Sequence, residues 1–256
     1  AYKSLGFQLS SEPFIARLTP DGQVDRSFGK AGAIAVSGLG GNNSLAAQAD
    51  GGVLLSYVDG YDTSLMRIAA GGEIDADYGE SGFRRLARGE ALRRFPFGLL
   101  GIDPQGRAVF SARVSGLKDH HVKNGVAFKR LLPDGSLDRT LGHSGLATSR
   151  LRRMLYSAEA LDEKGRVLVA IAIRPRNPGD LRTSEISGIS LARLRPDGRL
   201  DRSFGQGGVL KILSSPERQD YLNGIQVAGD VALIEEDRCD SGRGCRSVLI
   251  RVDLSS

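Results

Sequence analysis

One phrase in this chain repeats itself, and the repeat limits the fold more than any other feature. Ala16-Arg17-Leu18-Thr19-Pro20-Asp21-Gly22-Gln23-Val24-Asp25-Arg26-Ser27-Phe28-Gly29 returns as Ala192-Arg193-Leu194-Arg195-Pro196-Asp197-Gly198-Arg199-Leu200-Asp201-Arg202-Ser203-Phe204-Gly205. A third copy runs from Lys129-Arg130-Leu131 through Pro133-Asp134-Gly135 to Asp138 and closes on Leu141-Gly142. A degraded copy starts at Met66-Arg67-Ile68, carries Ala70-Gly71-Gly72 in place of Pro-Asp-Gly, and closes on Tyr78-Gly79. A fifth begins at Ile250-Arg251. The aligned arginines 17, 67, 130, 193 and 251 are spaced by 50, 63, 63 and 58 residues. Periods of this size mean that one structural unit is being stacked on copies of itself.

A second motif lies between the copies, a glycine turn followed by an apolar run. It appears as Asp50-Gly51-Gly52-Val53-Leu54-Leu55, Gln105-Gly106-Arg107-Ala108-Val109-Phe110, Lys164-Gly165-Arg166-Val167-Leu168-Val169 and Gly229-Asp230-Val231-Ala232-Leu233-Ile234. Short apolar runs bounded by Gly and Asp turns predict antiparallel strands. In Pro-Asp-Gly the proline presets φ, the aspartate caps the turn and the glycine takes positive φ. Each period then holds four strands, near residues 83–87, 97–102, 108–114 and 126–132 in the second. Four strands per period is the pattern of a β-propeller blade.

The phrase Arg-Leu-x-Pro-Asp-Gly-x-Leu-Asp-x-x-Phe-Gly-x-x-Gly resembles the delta-60 repeat family of bacterial β-propellers, and the resemblance runs along nearly the whole chain. It implies a propeller of the bacterial envelope or exterior and no particular reaction. The expected fold is all-β, a single propeller domain over residues 1–256 with repeat cores near 14–32, 64–82, 127–145, 190–208 and 248–256. Strands expected at 4–9 and 13–18 add half a unit to four complete blades. Five blades are therefore preferred over four blades plus an N-terminal hairpin. The N-terminal pair is expected to complete the ring, because open sheet edges invite aggregation.

Composition narrows the function classes. The net charge is +5, and 28 of the 35 basic residues are arginine. There is no tryptophan, and aromatic residues make up 6%. That weighs against stacking platforms for single-stranded nucleic acid. The longest strongly apolar run, residues 167–173, is far short of a membrane span of about 20 residues. No signal peptide is recognisable at the N-terminus, which fits either a cytoplasmic or an already processed chain. Cys239 and Cys245 are the only cysteines and bracket a short polar loop. They are expected to form a disulfide, which points to a periplasmic or secreted protein.

A residue that recurs in every period builds every period. The repeated Arg and the Asp eight residues later are therefore read as an ion pair or an aspartate-capped loop that ties the last strand of one blade to the next, not as a catalytic pair. Two carboxylates per turn are too few for a calcium loop. Phe28, Tyr78, Leu141 and Phe204 share one slot and are read as core. Function is sought where copies differ. Glu159 stands where other copies have Ala46, Leu100 and Gly224. It is the one catalytic candidate, but glycoside hydrolysis needs a second carboxylate, and none can be named. Asp119, His120 and His121 could ligate zinc or copper, but adjacent residues seldom reach one ion and a solvated loop is preferred. No cofactor is expected.

The loops at one end of the blades vary in length and sum to +4, while the repeated turns at the other end sum to −8. Variable loops on a rigid scaffold commonly carry function. The resulting expectation is a monomeric, non-enzymatic binding or scaffold protein. Arg93, Arg94, Arg152, Arg153, Arg174 and Arg176 would bind an acidic protein or anionic glycan. The competing expectation is a hydrolase acting on a glycan or ester in the central channel.

Overall fold

The computed structural model describes residues 13–36, 43–59, 62–86, 96–117, 122–151, 154–173, 188–213, 219–240 and 244–255. Its regular structure is entirely β, with no helix among the described residues. The chain divides into two compact units, residues 1–86 and 87–256.

In the first unit, β1 (Phe14–Ala16) pairs with β2 (Ala33–Ala35) around the first copy of the repeat. A four-stranded antiparallel sheet follows, in the order β3 (Asn43–Ala47), β4 (Val53–Asp59), β5 (Asp62–Ile68) and β6 (Phe83–Leu86). Ile15, Phe28, Val36, Leu55, Met66 and Ile68 form the core between these two sheets. The expected strand at 4–9 lies outside the described residues.

The second unit repeats the plan. One sheet runs β7 (Gly98–Ile102), β8 (Ala108–Leu117), β9 (Val122–Leu131) and β10 (Ala147–Arg150). The next runs β11 (Met154–Leu161), β12 (Val167–Ile173), β13 (Ile189–Leu194) and β14 (Val209–Leu213). The last has three strands, β15 (Gln219–Ala228), β16 (Val231–Asp240) and β17 (Gly244–Asp253). Both faces of β12 and β13 are buried, which is why Val-Leu-Val-Ala-Ile-Ala runs unbroken instead of alternating. Antiparallel four-stranded sheets in series are consistent with a β-propeller.

The sheets are offset by one strand from the sequence expectation. Phe83–Leu86 was grouped with the strands that follow it, but β6 pairs back on β5, with Thr63 opposite Leu86 and Met66 opposite Phe83. The motif therefore connects the third and fourth strands of one sheet. Among the described residues three sheets are four-stranded.

The motif's own backbone explains that return. The Gly135 N–H bonds the Leu132 carbonyl at 2.9 Å, and the Asp138 N–H bonds the Arg130 carbonyl at 2.9 Å. The chain then turns through left-handed residues at matched positions: Ala31, Ser81, Ser144 and Gly207, with φ of 58°, 53°, 52° and 63°. A Cβ on Gly29, Gly79, Gly142 or Gly205, two residues earlier, would run into the backbone carbonyl of the returning strand. Phe-Gly is thus fixed by close approach as well as by positive φ.

Candidate functional site

The recurring arginines are engaged inside the scaffold. Arg17, Arg130 and Arg193 each donate from Nε to the aspartate eight residues on, Asp25, Asp138 and Asp201, at 2.8 Å in every case. Each also donates from Nη1 to a main-chain carbonyl of the next copy. Arg17 reaches Ala70 O at 2.7 Å, Arg130 reaches Pro196 O at 2.8 Å, and Arg193 reaches Leu254 O at 3.3 Å. Ala70, Pro196 and Leu254 all stand at the motif's proline position. The guanidinium groups of Arg17 and Arg193 lie over the rings of Phe28 and Phe204, 4.9 and 4.5 Å from the centroids. Phe28, Tyr78, Leu141 and Phe204 are all buried, as expected of a core slot.

The aspartates are held ionised. Hydrogen bonds from Ser203 hold Asp201 below the usual carboxylate range, aided by Arg193 and only partly opposed by burial. For Asp138, burial is the largest single influence and opposes ionisation. Hydrogen bonds from Thr140 and Arg130 outweigh it, and its carboxyl also sits low. The degraded copy substitutes other partners: Arg67 meets Asp75, Asp50 and, at 2.7 Å, Gln48. The second motif uses the same chemistry in its own turns. Asp103 accepts from Arg107 Nε at 2.7 Å, and Asp162 accepts from Arg166 Nε at 2.6 Å.

Within each four-stranded sheet, the glycine turn and the motif turn lie at one end of the strands. The variable connections lie at the other. Arg93, Arg94, Arg152, Arg153, Arg174 and Arg176 fall outside the described residues, as do Asp119, His120 and His121. Among the described residues, no three His, Cys, Asp or Glu side chains group as metal ligands.

Glu159 is half-buried on β11, opposite Val169 of β12. It accepts from Ser157 Oγ at 2.6 Å on its own strand and from Ser111 Oγ at 3.4 Å on β8 of the neighbouring sheet. Burial pushes its carboxyl above the usual range, while the two hydroxyls and the charge of Arg113 offset part of that rise. Folding therefore strengthens the hold of Glu159 on its proton relative to the unfolded chain. Stability contributed by that proton is complete below the unfolded value of 4.5 and is lost as pH rises through the higher folded value. Glu159→Gln should accordingly melt higher than the parent at pH 7, and the gain should vanish near pH 4. Melting curves across that range check this; an advantage that grew on acidification would contradict it.

Cys239 and Cys245 form the expected disulfide. They face each other directly across β16 and β17, with Cα atoms 4.0 Å apart. No helix among the described residues is long and apolar enough to cross a membrane.

A family described as "Domain of unknown function (DUF5122) beta-propeller" matches residues 9–28, the first copy of the motif. No curated protein matches the chain. Among solved structures, an endo-arabinase from Bacteroides thetaiotaomicron VPI-5482 has a TM-score of 0.43 at 11% identity, covering 81% of this chain and 78% of that one. Cobalt-substituted Synechocystis ACO has a TM-score of 0.36 at 12% identity, covering 94% of this chain and 65% of that one. Likeness at this distance says nothing of what this chain binds or cleaves.

Sequence reading missed one half of the arginine's role. The acceptor in the next copy is a carbonyl, which has no residue signature; only the recurrence of the arginine signalled that something in every repeat needed it.

Proposed function

We propose that this chain is a non-enzymatic binding or scaffold protein of the bacterial envelope or exterior, a single delta-60-type propeller of five blades spanning residues 1–256. The supporting observation is the engagement of Arg17, Arg130 and Arg193 inside the motif. Of the five recurring arginines, Arg17, Arg130 and Arg193 are occupied by an aspartate and a carbonyl, and Arg67 by two aspartates and Gln48. Anion recognition is thereby left to those that do not recur, Arg93, Arg94, Arg152, Arg153, Arg174 and Arg176 in the variable loops. Arginine forks suit carboxylates, so the partner is an acidic protein or an anionic glycan. The disulfide accords with a periplasmic or secreted site of action, and the protein acts as a monomer.

The test is capture of partners on the purified protein, followed by reversal of Arg152 and Arg153 to glutamate. Binding should weaken by about tenfold, which is about 1.4 kcal/mol, and parent binding should fall with salt. Salt-independent binding that the reversal leaves unchanged would sink the proposal.

One observation favours a second reading, hydrolysis of a glycan or ester. Glu159 is a half-buried carboxyl whose hold on its proton is raised by burial, the direction in which a general acid is tuned. Turnover of glycan or ester substrates that disappears in Glu159→Gln would establish it.

A further inference from the structure

The last sheet ends on an edge that the four-stranded sheets cover. In β5, residues 63–66, just before the motif arginine Arg67, pair with β6. In β13, residues 189–192, just before Arg193, pair with β14. The matching residues before Arg251 are 247–250 of β17, and among the described residues β17 pairs with β16 alone. Leu249 shows what is left uncovered. It is 69% exposed, while Leu65, Phe128 and Leu191 at the same slot are 2% exposed or less.

Register fixes where the backbone of that edge points. Cys239 and Cys245 face each other with Cα atoms 4.0 Å apart, the closer of the two spacings in an antiparallel ladder, at which the facing residues exchange no hydrogen bonds. Ser247, Leu249 and Arg251 follow at two-residue steps with no shift of register. Their N–H and C=O groups therefore point away from β16. The other copies agree. The N–H groups of Arg67 and Arg193 donate to the carbonyls of Gly82 and Gly208, at 3.0 and 3.2 Å, on the side of the fourth strand. A row of outward donors and acceptors is a template for one more strand.

The side chains beside that row set the chemistry of the strand it would take. On one face the cross-strand pairs are Asp237 with Ser247, Glu235 with Leu249 and Leu233 with Arg251, and Asp253 follows. Three carboxylates there stand against one guanidinium. Ser247 donates to Asp237 at 2.6 Å and, with Asn223, holds its carboxyl below the usual range. On the other face Arg238 lies opposite Arg246, Glu236 opposite Val248 and Ile234 opposite Ile250. Arg238 donates to Glu236 at 3.1 Å, which leaves Arg246 as the cation in excess, at the end nearest the disulfide. The fourth strands that fill this slot elsewhere carry Arg84, Arg85, Arg150 and Lys211 and no acid.

We propose that β17 takes a basic, extended segment of a partner protein as an antiparallel fourth strand. Its backbone bonds to Ser247, Leu249 and Arg251. Lysine or arginine opposite Leu249 and Ser247 lays its stem over Leu249 and its charge near Glu235 and Asp237. Branched apolar residues lie opposite Val248 and Ile250. In strand addition the main-chain bonds supply affinity and alternate side chains supply specificity. A second copy of β17 on this edge would bring like carboxylates together, which disfavours it. The site goes beyond the variable-loop reading and uses none of those arginines.

The test titrates the end-capped peptide Thr-Val-Lys-Val-Lys-Thr into the full chain. The comparators are Thr-Val-Glu-Val-Glu-Thr and the first peptide N-methylated at its first lysine, which removes the donor to the Leu249 carbonyl. Calorimetry should show one-to-one binding, about tenfold weaker for either comparator. Binding should slow amide hydrogen exchange at Leu249 and Arg251, which should be fast in the free protein. Glu235→Gln, at an exposed side chain, should weaken the peptide about threefold with little change in melting temperature. Reversing Arg152 and Arg153 to glutamate should leave peptide binding unchanged, so this reading and the variable-loop reading fail separately. Absence of binding, or a comparator that binds as tightly, would overturn the assignment. So would slow exchange at Leu249 and Arg251 in the free protein: at every concentration it would mean that the chain's own segment fills the edge, and only at high concentration that a second copy does.

Discussion

Arg130→Ala is expected to lower unfolding free energy by about 3–5 kcal/mol, the range for removing one partner from a buried ion pair. Arg130 and Asp138 are 7% and 4% exposed. Loss of the guanidinium strands the Asp138 carboxylate in the interior and leaves the Pro196 carbonyl without its donor. Arg17→Ala is the internal control. It makes the same two contacts, but its side chain and that of Asp25 are 29% and 24% exposed. Water can replace what is lost there, so the cost should be nearer 1 kcal/mol. Removing Asp138 together with Arg130 should cost less than the two single changes added, since the stranded charge goes too. Denaturant unfolding of the parent and the four variants measures all of this. Equal losses in Arg130→Ala and Arg17→Ala would show that burial of the pair does not matter.

Gly198→Ala should be the second large effect, about 2–5 kcal/mol, combining left-handed backbone strain with overpacking. Gly198 and Gly22 occupy the same turn position at the same φ of 80°. A Cβ on Gly22 would meet nothing, whereas one on Gly198 would overlap the methyl of Ala147 on β10, the closing strand of the preceding sheet. Ser149 on that strand donates to the Gly198 carbonyl at 2.7 Å, so the turn has little room to retreat. Gly22→Ala should therefore cost only the strain, about 1–2 kcal/mol. The difference between the two measures how tightly one repeat's turn is seated on its neighbour; identical losses would place the whole effect in the backbone.

Local features were legible because they are written in local chemistry. Pro-Asp-Gly specified its turn, alternating apolar runs specified strands, and two cysteines around a short loop specified a cross-strand disulfide. The offset of the sheets was not legible. Whether the strand at Phe83 pairs backward or forward depends on how the intervening motif folds, and that rests on its left-handed residues, only one of which, Gly207, is glycine at the Ala31 position. Glu159 stood out as a departure from the repeat, but Ser111, 48 residues away, could not be named as its partner.

The bond from each motif arginine runs in one direction along the chain, from 17 to 70, from 130 to 196 and from 193 to 254. The copy at Arg193 carries both halves, a plug for the period after it in Arg193 and a socket for the period before it at Pro196. A gene segment encoding one such period, duplicated in tandem, brings both halves of the junction with it, so an array can gain or lose whole units without inventing a new interface. The spans of 53, 66 and 61 residues between plug and socket show that the intervening loops can drift in length while the junction stays the same. Selection can then rewrite those loops freely, provided that it changes the number of units only in whole steps.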